Sequence, residues 1–326
     1  MTPDNLRSYC HECMNTTVLT RGLPWALVSA AAFGFSGPLG DSLMTAGWST
    51  GATTLVRIGG AALILLPVAV VLGLRHRPTG ASLRTIATYG VFAVAGAQLC
   101  FFYALQHLDV GVALLLEFLA PVLLVGWTWF RTRRPPRTVT VLGCAVAIVG
   151  LMFVVDVFGA GRVDLVGVLW GLAAAVCVCV YFSLPAGSDG DGGVPPMLLI
   201  SGGTIVAAVL LTATGLLGLT PLHVGARTAV LGGVSMHWLL VAAQMVVIAT
   251  VVAYLTGVIG IRRLETRVAS FVGLSEVLFG VLAAWLLVDQ IPTLAQLFGG
   301  LLILAGIVLI RRAELRTATT AEPVGA

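Results

Sequence analysis

The sequence predicts an all-α integral membrane protein whose ten transmembrane helices form two inverted five-helix repeats. Three observations lead to this prediction: the composition, the number of long apolar stretches and an internal repeat. The chain is 58% hydrophobic and only 10% charged, whereas an average soluble domain is about 45–50% apolar and about 25% charged. Lipid must therefore cover part of the apolar surface.

Ten apolar stretches are long enough to cross a bilayer, which takes about 20 residues of helix. We assign them to helices because the strands of a membrane barrel would alternate apolar and polar residues with a period of two. The stretches are residues 23–43, 52–73, 85–106, 110–130, 138–157, 164–184, 196–217, 237–259, 267–288 and 293–311.

The second half of the chain repeats a pattern of the first half. Each half contains five apolar stretches, and an odd number of spans forces the two copies to insert in opposite senses. Inverted repeats of this kind are typical of secondary transporters. Trp129, Pro136, Gly143 and Gly150 match Trp285, Pro292, Gly299 and Gly306 at an offset of 156 residues, and Gly22-x-x-Trp25 matches Gly167-x-x-Trp170 at an offset of 145.

The arginines predict the orientation in the membrane. The chain has no lysine, and all but three of its 18 basic residues lie on one side if the N-terminus is cytoplasmic. The exceptions are Arg162 and Arg227 on the other side and Arg57 within a span. Because cytoplasmic connections carry an excess of arginine and lysine, we expect both termini in the cytoplasm. The net charge of +4 gives no reason to expect nucleic acid as a partner.

The repeat and the charge pattern divide the chain into four parts. The leader is polar and lacks the apolar run of a cleaved signal peptide, and Met14 offers an alternative start of translation. The parts are a leader (1–20), a first repeat (21–157), a second repeat (163–312) and a disordered cytoplasmic tail (313–326).

Two further segments are candidates for a function. Cys10 and Cys13 supply half of a metal site, and since zinc needs three or four protein ligands, we expect no metal. Residues 219–236 form the longest outer connection. Two interpretations of it stay open, a lid over the transport path or a passive insertion.

Three ionisable residues lie well inside the predicted spans: Arg57, Glu117 and Glu276. A charge at the centre of a membrane helix costs about 2.5–3.5 kcal/mol on insertion scales, and it usually faces the bundle interior or water. We predict that all three face one central cavity, where Arg57 would hold an anionic group and Glu276 would exchange a proton. The structural alternatives are a headgroup contact for Arg57, a bond to a carbonyl freed by Pro121 for Glu117, and a helix–helix hydrogen bond for Glu276.

Further polar and helix-breaking residues accompany these charges. Polar side chains within the third and eighth spans could line a path for a small solute, or could join helices by hydrogen bonds. Proline and glycine in the first and fourth spans predict kinks or gates, since proline removes a helical hydrogen bond. The predicted path residues are Gln98, Tyr103, Gln244 and Tyr254, and the predicted kink residues are Gly37, Pro38 and Pro121.

Sequence motifs of ATP-driven pumps and of zinc metalloproteases are absent. The chain contains no G-x-x-x-x-G-K-[ST] and no H-E-x-x-H motif. We therefore expect neither an enzyme nor a bound cofactor, and no catalytic residue is assigned.

The run from Phe101 to Pro121, FFYALQHLDVGVALLLEFLAP, resembles the signature of the third and fourth helices in the EamA family of the drug/metabolite transporter superfamily. The runs LGCAVAIVG (142–150) and LFGGLLILAG (297–306) resemble the same family. The resemblance covers residues 21 to 312 and implies ten helices in two inverted repeats around a central substrate cavity. Arg57 occupies the place of an arginine common in the family's second helix.

One branch of this family, which includes threonine/homoserine exporters, is the most similar. The resemblance rests on Glu117 within GVALLLEF and on Thr266-Arg267 before the ninth helix. Val277 follows Glu276 where members usually have proline, which weakens the inference of a broken ninth helix. Val288-Asp289-Gln290 also stands where members usually carry residues like Gly-Glu-Arg.

The sequence thus predicts an inner-membrane secondary transporter that exports a small polar metabolite, with amino acids foremost. The proton gradient is the first expectation for its drive, and exchange or facilitated diffusion is the alternative. Two alternatives stay open. One is translocation of a lipid or isoprenoid carrier, which would need a cavity open sideways to the bilayer. The other is a membrane partner or sensor that transports nothing. The sequence leaves the oligomeric state open.

Overall fold

The computed structural model describes residues 22–133, 135–155, 164–183, 194–263 and 272–321, which form ten helices and one short hairpin. Two helices contain a π-helical segment and three are broken. The uninterrupted helices are α2 (Thr50–His76), α5 (Thr138–Val154), α6 (Leu165–Ser183), α7 (Pro196–Leu216) and α10 (Leu294–Ala321). The broken helices are α1 (22–34 and Ser36–Thr45), α4 (Val110–Glu117 and Ala120–Thr132) and α9 (272–273 and Ser275–Val288). The helices with π-helical segments are α3 (Gly80–Thr88, π-helical Tyr89–Gly96, Ala97–Leu105) and α8 (Trp238–Val246, π-helical Val247–Val252, Ala253–Arg263).

Five of these helices, α2, α3, α4, α7 and α8, are long and apolar enough to cross a membrane. Four others, in α5, α6, α9 and α10, have apolar segments of between 10 and 17 residues. The 14-residue helix Ser275–Val288 covers about 21 Å at 1.5 Å per residue, less than the roughly 30 Å of a hydrocarbon core. By length alone the structure supports five of the ten predicted spans.

The outside of the bundle is apolar, as a membrane protein requires. Leu63, Val209 and Leu301 are each more than 60% exposed on the helix surfaces. Their exposure would be unfavourable in water, and lipid tails solvate them at no cost. The interior holds Phe101, Leu116 and similar side chains packed between the helices.

A two-stranded antiparallel hairpin corrects the all-α expectation. β1 (Thr228–Leu231) pairs with β2 (Val234–His237), within the connection that the sequence analysis treated as a loop or lid. Gly232 and Gly233 both have positive φ, as a two-residue hairpin turn requires. The hairpin packs on the bundle, because Gly232 N–H donates to Leu287 O (2.7 Å) and Ser42 Oγ donates to Val230 O (2.6 Å).

Several helices begin at a residue whose side chain accepts hydrogen bonds from the backbone N–H groups of the first turn. Ser49 Oγ accepts from Ala52 N–H (3.2 Å) at the start of α2, and Asp164 accepts from the first turn of α6. The hydrogen bond from Gly167 N–H, with help from nearby His107, lowers the pKa of the exposed Asp164 carboxyl. His107 Nδ1 lies 3.0 Å from Asp164 Oδ2, so this hydrogen-bonded contact also joins the α3–α4 connection to α6.

The helices α5 and α10 pack against each other through two glycine pairs. A Cβ at Gly150 would lie 2.5 Å from Gly299 O, and one at Gly143 would lie 2.7 Å from Gly306 O. The contact is antiparallel, since Gly143 meets the later glycine of α10 and Gly150 meets the earlier one. The offset of 156 residues relates Gly143 to Gly299 and Gly150 to Gly306. It therefore maps one glycine pair onto the other, as a two-fold axis between α5 and α10 would.

Several connections meet at one end of the bundle, here called the outer end because the arginines predict that it faces outside. Ala226 N–H donates to Ala46 O (2.8 Å), and Val110 N–H donates to Gln290 Oε1 (2.8 Å). At the other end α10 continues as a helix to Ala321, so residues 313–321 are helical where a disordered tail was predicted. The predicted leader and the Cys10–Cys13 pair lie outside the described residues.

Candidate functional site

The polar cluster begins on one face of α2. Thr50, Thr53, Thr54 and Arg57 are all buried there, and Arg57 is only 1% exposed. Residues three and four apart share a helix face, so these side chains form a polar stripe in an otherwise apolar helix. Burying a guanidinium costs free energy unless it is hydrogen-bonded and paired. The stripe therefore marks this face of α2 as a candidate functional site.

Hydrogen bonds from two other helices hold the guanidinium of Arg57. Its Nε donates to Thr250 Oγ1 (3.1 Å) and its Nη2 donates to Ala249 O (3.3 Å), both on α8. Its Nη1 donates to Gln98 Oε1 on α3. The Phe102 ring also lies 5.7 Å from the guanidinium carbon, close enough for a cation–π contact. Arg57 therefore joins α2 to α3 and α8.

The partners of Arg57 lie in or beside the π-helical segments of α3 and α8. Ala97 N–H donates to Phe92 O, and Ala253 N–H donates to Ile248 O, both over five residues. These two bonds are related by the 156-residue offset of the repeats. Wide π-helical turns are rare and often mark functional sites, and here both repeats place one beside the same arginine.

The two carboxyls lie at helix breaks near this cluster. Glu117 is the last residue of the first segment of α4, and Glu276 is the second residue of the main segment of α9. Both are half-buried, and both interact electrostatically with Arg57 and with each other. These interactions place the three charges in one region, and the prediction that all three face one central cavity stays a prediction.

No direct ion pair joins these charges. Among the described residues, His107–Asp164 is the pair within 4.0 Å, and neither Glu117 nor Glu276 makes a side-chain hydrogen bond there. The carbonyl bond that the sequence analysis weighed for Glu117, and the helix–helix bond weighed for Glu276, are thus not formed in this conformation. The arrangement leaves a held cation and two carboxyls available to a solute or a proton.

The predicted path residues divide between two places. Tyr254 is within electrostatic range of Arg57 and packs edge-on against Phe33, with ring centroids 5.0 Å apart. Tyr103 instead stacks on Trp170 with centroids 4.7 Å apart, nearer the outer end. Gln244 is half-buried on α8, six residues before Thr250, and makes no side-chain hydrogen bond to the described part of the chain.

The predicted kink residues lie beside two helix breaks. α1 is interrupted at Phe35, and Pro38 lacks the N–H that would bond to the carbonyl four residues earlier. Gly37 packs against the Val110 side chain. α4 is interrupted just before Pro121. The third break, at Leu274 in α9, has no proline, and there Ser275 Oγ bonds back to Val272 O (2.6 Å).

Two residues of the cluster were missed by the sequence analysis. Thr250 is completely buried, accepts from Arg57, and donates to Met245 O (2.9 Å) across the π-helical turn. Thr53 is also completely buried. Threonine is common in membrane helices, so its type alone carries no signal. The repeat offset that relates Gln98 to Tyr254 was the one clue that could have pointed to this part of α8.

Two cavities lie away from the cluster, near the outer end. One of about 370 Å³ is lined by His107, Asp109, Asp164, Gln290 and Gln296. The other, of about 270 Å³, is an apolar groove between α4, α9 and α10 that contains Val112, Leu115, Val281 and Leu301. Within the described residues no group of three or more His, Cys, Asp and Glu side chains is arranged to hold a metal ion.

Comparison with known proteins identifies the family. The profile of the EamA-like transporter family matches the chain twice, at residues 20–156 and at residues 165–312. The chain belongs to the EamA-like transporter family. The resemblance inferred from the sequence is thereby confirmed, and the protein is a multi-pass membrane transporter rather than a member of an enzyme family.

Individual relatives of this EamA-like protein agree with the assignment. The uncharacterized inner membrane transporter YicL of Salmonella typhimurium is 25% identical over 312 residues, covering 92% of this chain and 98% of YicL. The threonine/homoserine exporter RhtA of Escherichia coli K12 is 28% identical over 182 residues, which span 55% of this chain and 54% of RhtA. A crystal structure of a protein 23% identical gives a TM-score of 0.53 over 93% of this chain and 99% of that one, which supports the fold alone.

Proposed function

We propose that this EamA-like protein exports a small amino acid across the cytoplasmic membrane, with threonine and homoserine as first candidates and the proton gradient as the drive. The observation that carries the proposal is Arg57, a buried cation that three hydrogen bonds hold but no ion pair neutralises within the described residues. An amino acid brings the carboxylate that Arg57 lacks. The partial match to RhtA supports the same substrate class.

The proposal includes the two carboxyls and the repeat. Glu117 and Glu276 lie within electrostatic range of Arg57, so protonation of either changes the charge balance around a substrate. The antiparallel α5–α10 contact and the paired π-helical turns support two inverted repeats, 21–157 and 163–312. The distribution of arginines supports both termini in the cytoplasm. In such transporters the substrate binds where the repeats meet, and Arg57 is held by α3 of one repeat and α8 of the other.

Efflux from preloaded cells tests this function. Cells with and without the protein are loaded with labelled amino acids, and loss is followed with the proton gradient intact or collapsed. We expect faster, gradient-dependent loss of threonine or homoserine. Arg57→Gln should abolish it, while Arg84→Gln, a change of an exposed arginine on α3, should not. Equal loss with and without the wild-type protein in the membrane would contradict amino-acid export.

The apolar groove favours a second candidate, translocation of a lipid. It is lined by exposed side chains such as Leu278 and Leu301, as a groove open sideways to lipid would be. Polar residues lie only at its outer end, so we place this candidate second, since a headgroup would need a polar route through the whole membrane. Movement of a labelled lipid between leaflets of reconstituted vesicles would favour it, and inhibition of threonine efflux by added lipid would link the two.

A further inference from the structure

Thr53 on α2 carries the one side-chain oxygen or nitrogen within the described residues that is fully buried and has no hydrogen-bond partner. Other helical threonines, such as Thr54 and Thr212, donate to the carbonyl four residues earlier. Thr53 does not, although that carbonyl, Ser49 O, is present and bonded to Thr53 N–H (3.0 Å). An orphaned buried hydroxyl is uncommon and points to a missing partner such as a ligand or water.

Thr53 lies one turn before Arg57 on the same buried face of α2. Long side chains on a helix lean toward its N-terminus and cover the preceding turn, so we expect the Arg57 side chain to extend over the turn that carries Thr53. Three of the five guanidinium N–H groups are used by Thr250, Ala249 and Gln98, which leaves two. Within the part of the chain that the structure describes, the hydroxyl and these two N–H groups are all donors without acceptors.

We propose that Thr53 and Arg57 together form a subsite for the carboxylate of the transported solute. A carboxylate only accepts hydrogen bonds and carries one negative charge, so it would satisfy the hydroxyl, the spare N–H groups and the unpaired positive charge at once. A sugar hydroxyl would supply no charge, and a protonated amine would add a second positive charge. The inference rests on the proposed function and deepens it, because it makes the carboxylate the part of the substrate that the protein selects.

The test compares Thr53→Val, which keeps the shape but loses the hydroxyl, with Thr53→Ser, which keeps it. The probes are L-threonine and L-threoninamide, which lacks the carboxylate charge. For Thr53→Val we expect the KM for threonine efflux to rise about 10- to 150-fold, the effect of losing a hydrogen bond to a charged group. Thr53→Ser should stay within about three-fold of the wild type, and weak competition by threoninamide should be unchanged in both variants.

Thermal unfolding of the purified protein gives a second readout. Thr53→Val removes an unsatisfied hydroxyl, so without substrate it should melt at or above the wild-type temperature, and added threonine should stabilise it less. A lower melting temperature without substrate would indicate that a bound water already satisfies Thr53, and this would overturn the subsite.

The kinetic outcomes distinguish a failure of the carboxylate subsite from a failure of the proposed threonine export. A wild-type protein that does not move threonine contradicts the proposed substrate. A wild-type protein that moves threonine, with Thr53→Val unchanged or impaired equally toward threonine and threoninamide, contradicts the carboxylate subsite alone.

Discussion

Arg57 is a positive charge that the fold holds in place without neutralising it. It donates three hydrogen bonds, to Thr250, Ala249 and Gln98, and all three acceptors are neutral groups. The two carboxyls within electrostatic range stop short of an ion pair. A buried charge is stable only if its surroundings compensate it, so under the proposed function a substrate carboxylate and the carboxyls of Glu117 and Glu276 would be alternative partners for one guanidinium. Competition of this kind would link substrate binding to protonation.

Glu276→Gln tests this link. The amide keeps the size of the side chain but cannot gain or lose a proton, so we expect efflux to lose its dependence on pH while the amount of protein in the membrane is unchanged. The measurement is the efflux rate over a range of external pH in cells expressing each variant. Asp289→Asn, at the exposed end of α9, is the control and should keep the wild-type pH profile. A preserved pH profile in Glu276→Gln would remove Glu276 from the coupling role.

At the scale of residues, the sequence predicts site candidates where a charge stands out from its surroundings. Arg57, Glu117 and Glu276 are candidates because ionisable groups in apolar stretches are rare, and their role in transport stays a prediction. Thr250 and Thr53 could not be found, because a threonine in a membrane helix usually bonds to its own backbone. Only the π-helical turn and the missing bond of Thr53, both three-dimensional features, distinguish these two from the other threonines.

Among the helices, α5 and α10 have a contact that depends on the absence of side chains. Their four glycines face backbone carbonyls of the opposite helix at 2.5–2.7 Å from where a Cβ would lie. Close approach of backbones replaces the hydrophobic effect as a source of helix association in lipid. The glycine pairs therefore hold the two repeats together along one antiparallel line of contact.

Gly150→Ala tests that contact. Alanine is normally more favourable than glycine within a helix, so a loss of stability here would be due to the close approach of α10. The new methyl group would lie 2.5 Å from Gly299 O and 2.8 Å from Ile303 N, so α5 and α10 must separate. We expect a loss of about 1–3 kcal/mol, the usual cost of overpacking, seen as a lower melting temperature in detergent. The control is Gly126→Ala on α4, where nothing lies within 4 Å and alanine should be neutral or stabilising. Equal melting of the two variants would contradict the glycine contact.

The sequence predicted the positions of the helices better than their internal irregularities. Hydropathy reports where apolar residues are, and proline marked the breaks near Pro38 and Pro121. The break at Leu274 and both π-helical segments arise from packing and side-chain bonds, which leave no mark in composition. The hairpin was missed because its strands have four residues each, too few for an alternating pattern to stand out.

At the scale of the whole molecule, the same structural solution recurs in both halves. The π-helical turns, the helix breaks at Phe118 and Leu274, and the glycine pairs are all related by the 156-residue offset. Because Arg57 has no arginine counterpart in the second half, the site at the centre is asymmetric even though its frame is repeated. Under the proposed function, such a frame would let the two halves exchange inward and outward openings around one fixed cation.

Inverted repeats require that equivalent connections lie on opposite sides of the membrane. The α2–α3 connection of the first repeat corresponds to the α7–α8 connection of the second. Gly80, the first residue of α3 after that connection, and His223, within the α7–α8 connection, are both exposed. In a background without other cysteines, we expect a membrane-impermeant thiol reagent to label His223→Cys in intact cells and Gly80→Cys only after permeabilisation. Labelling of both from outside would contradict inversion. Labelling of Gly80→Cys alone would keep the inversion and reverse the orientation that the arginines predict.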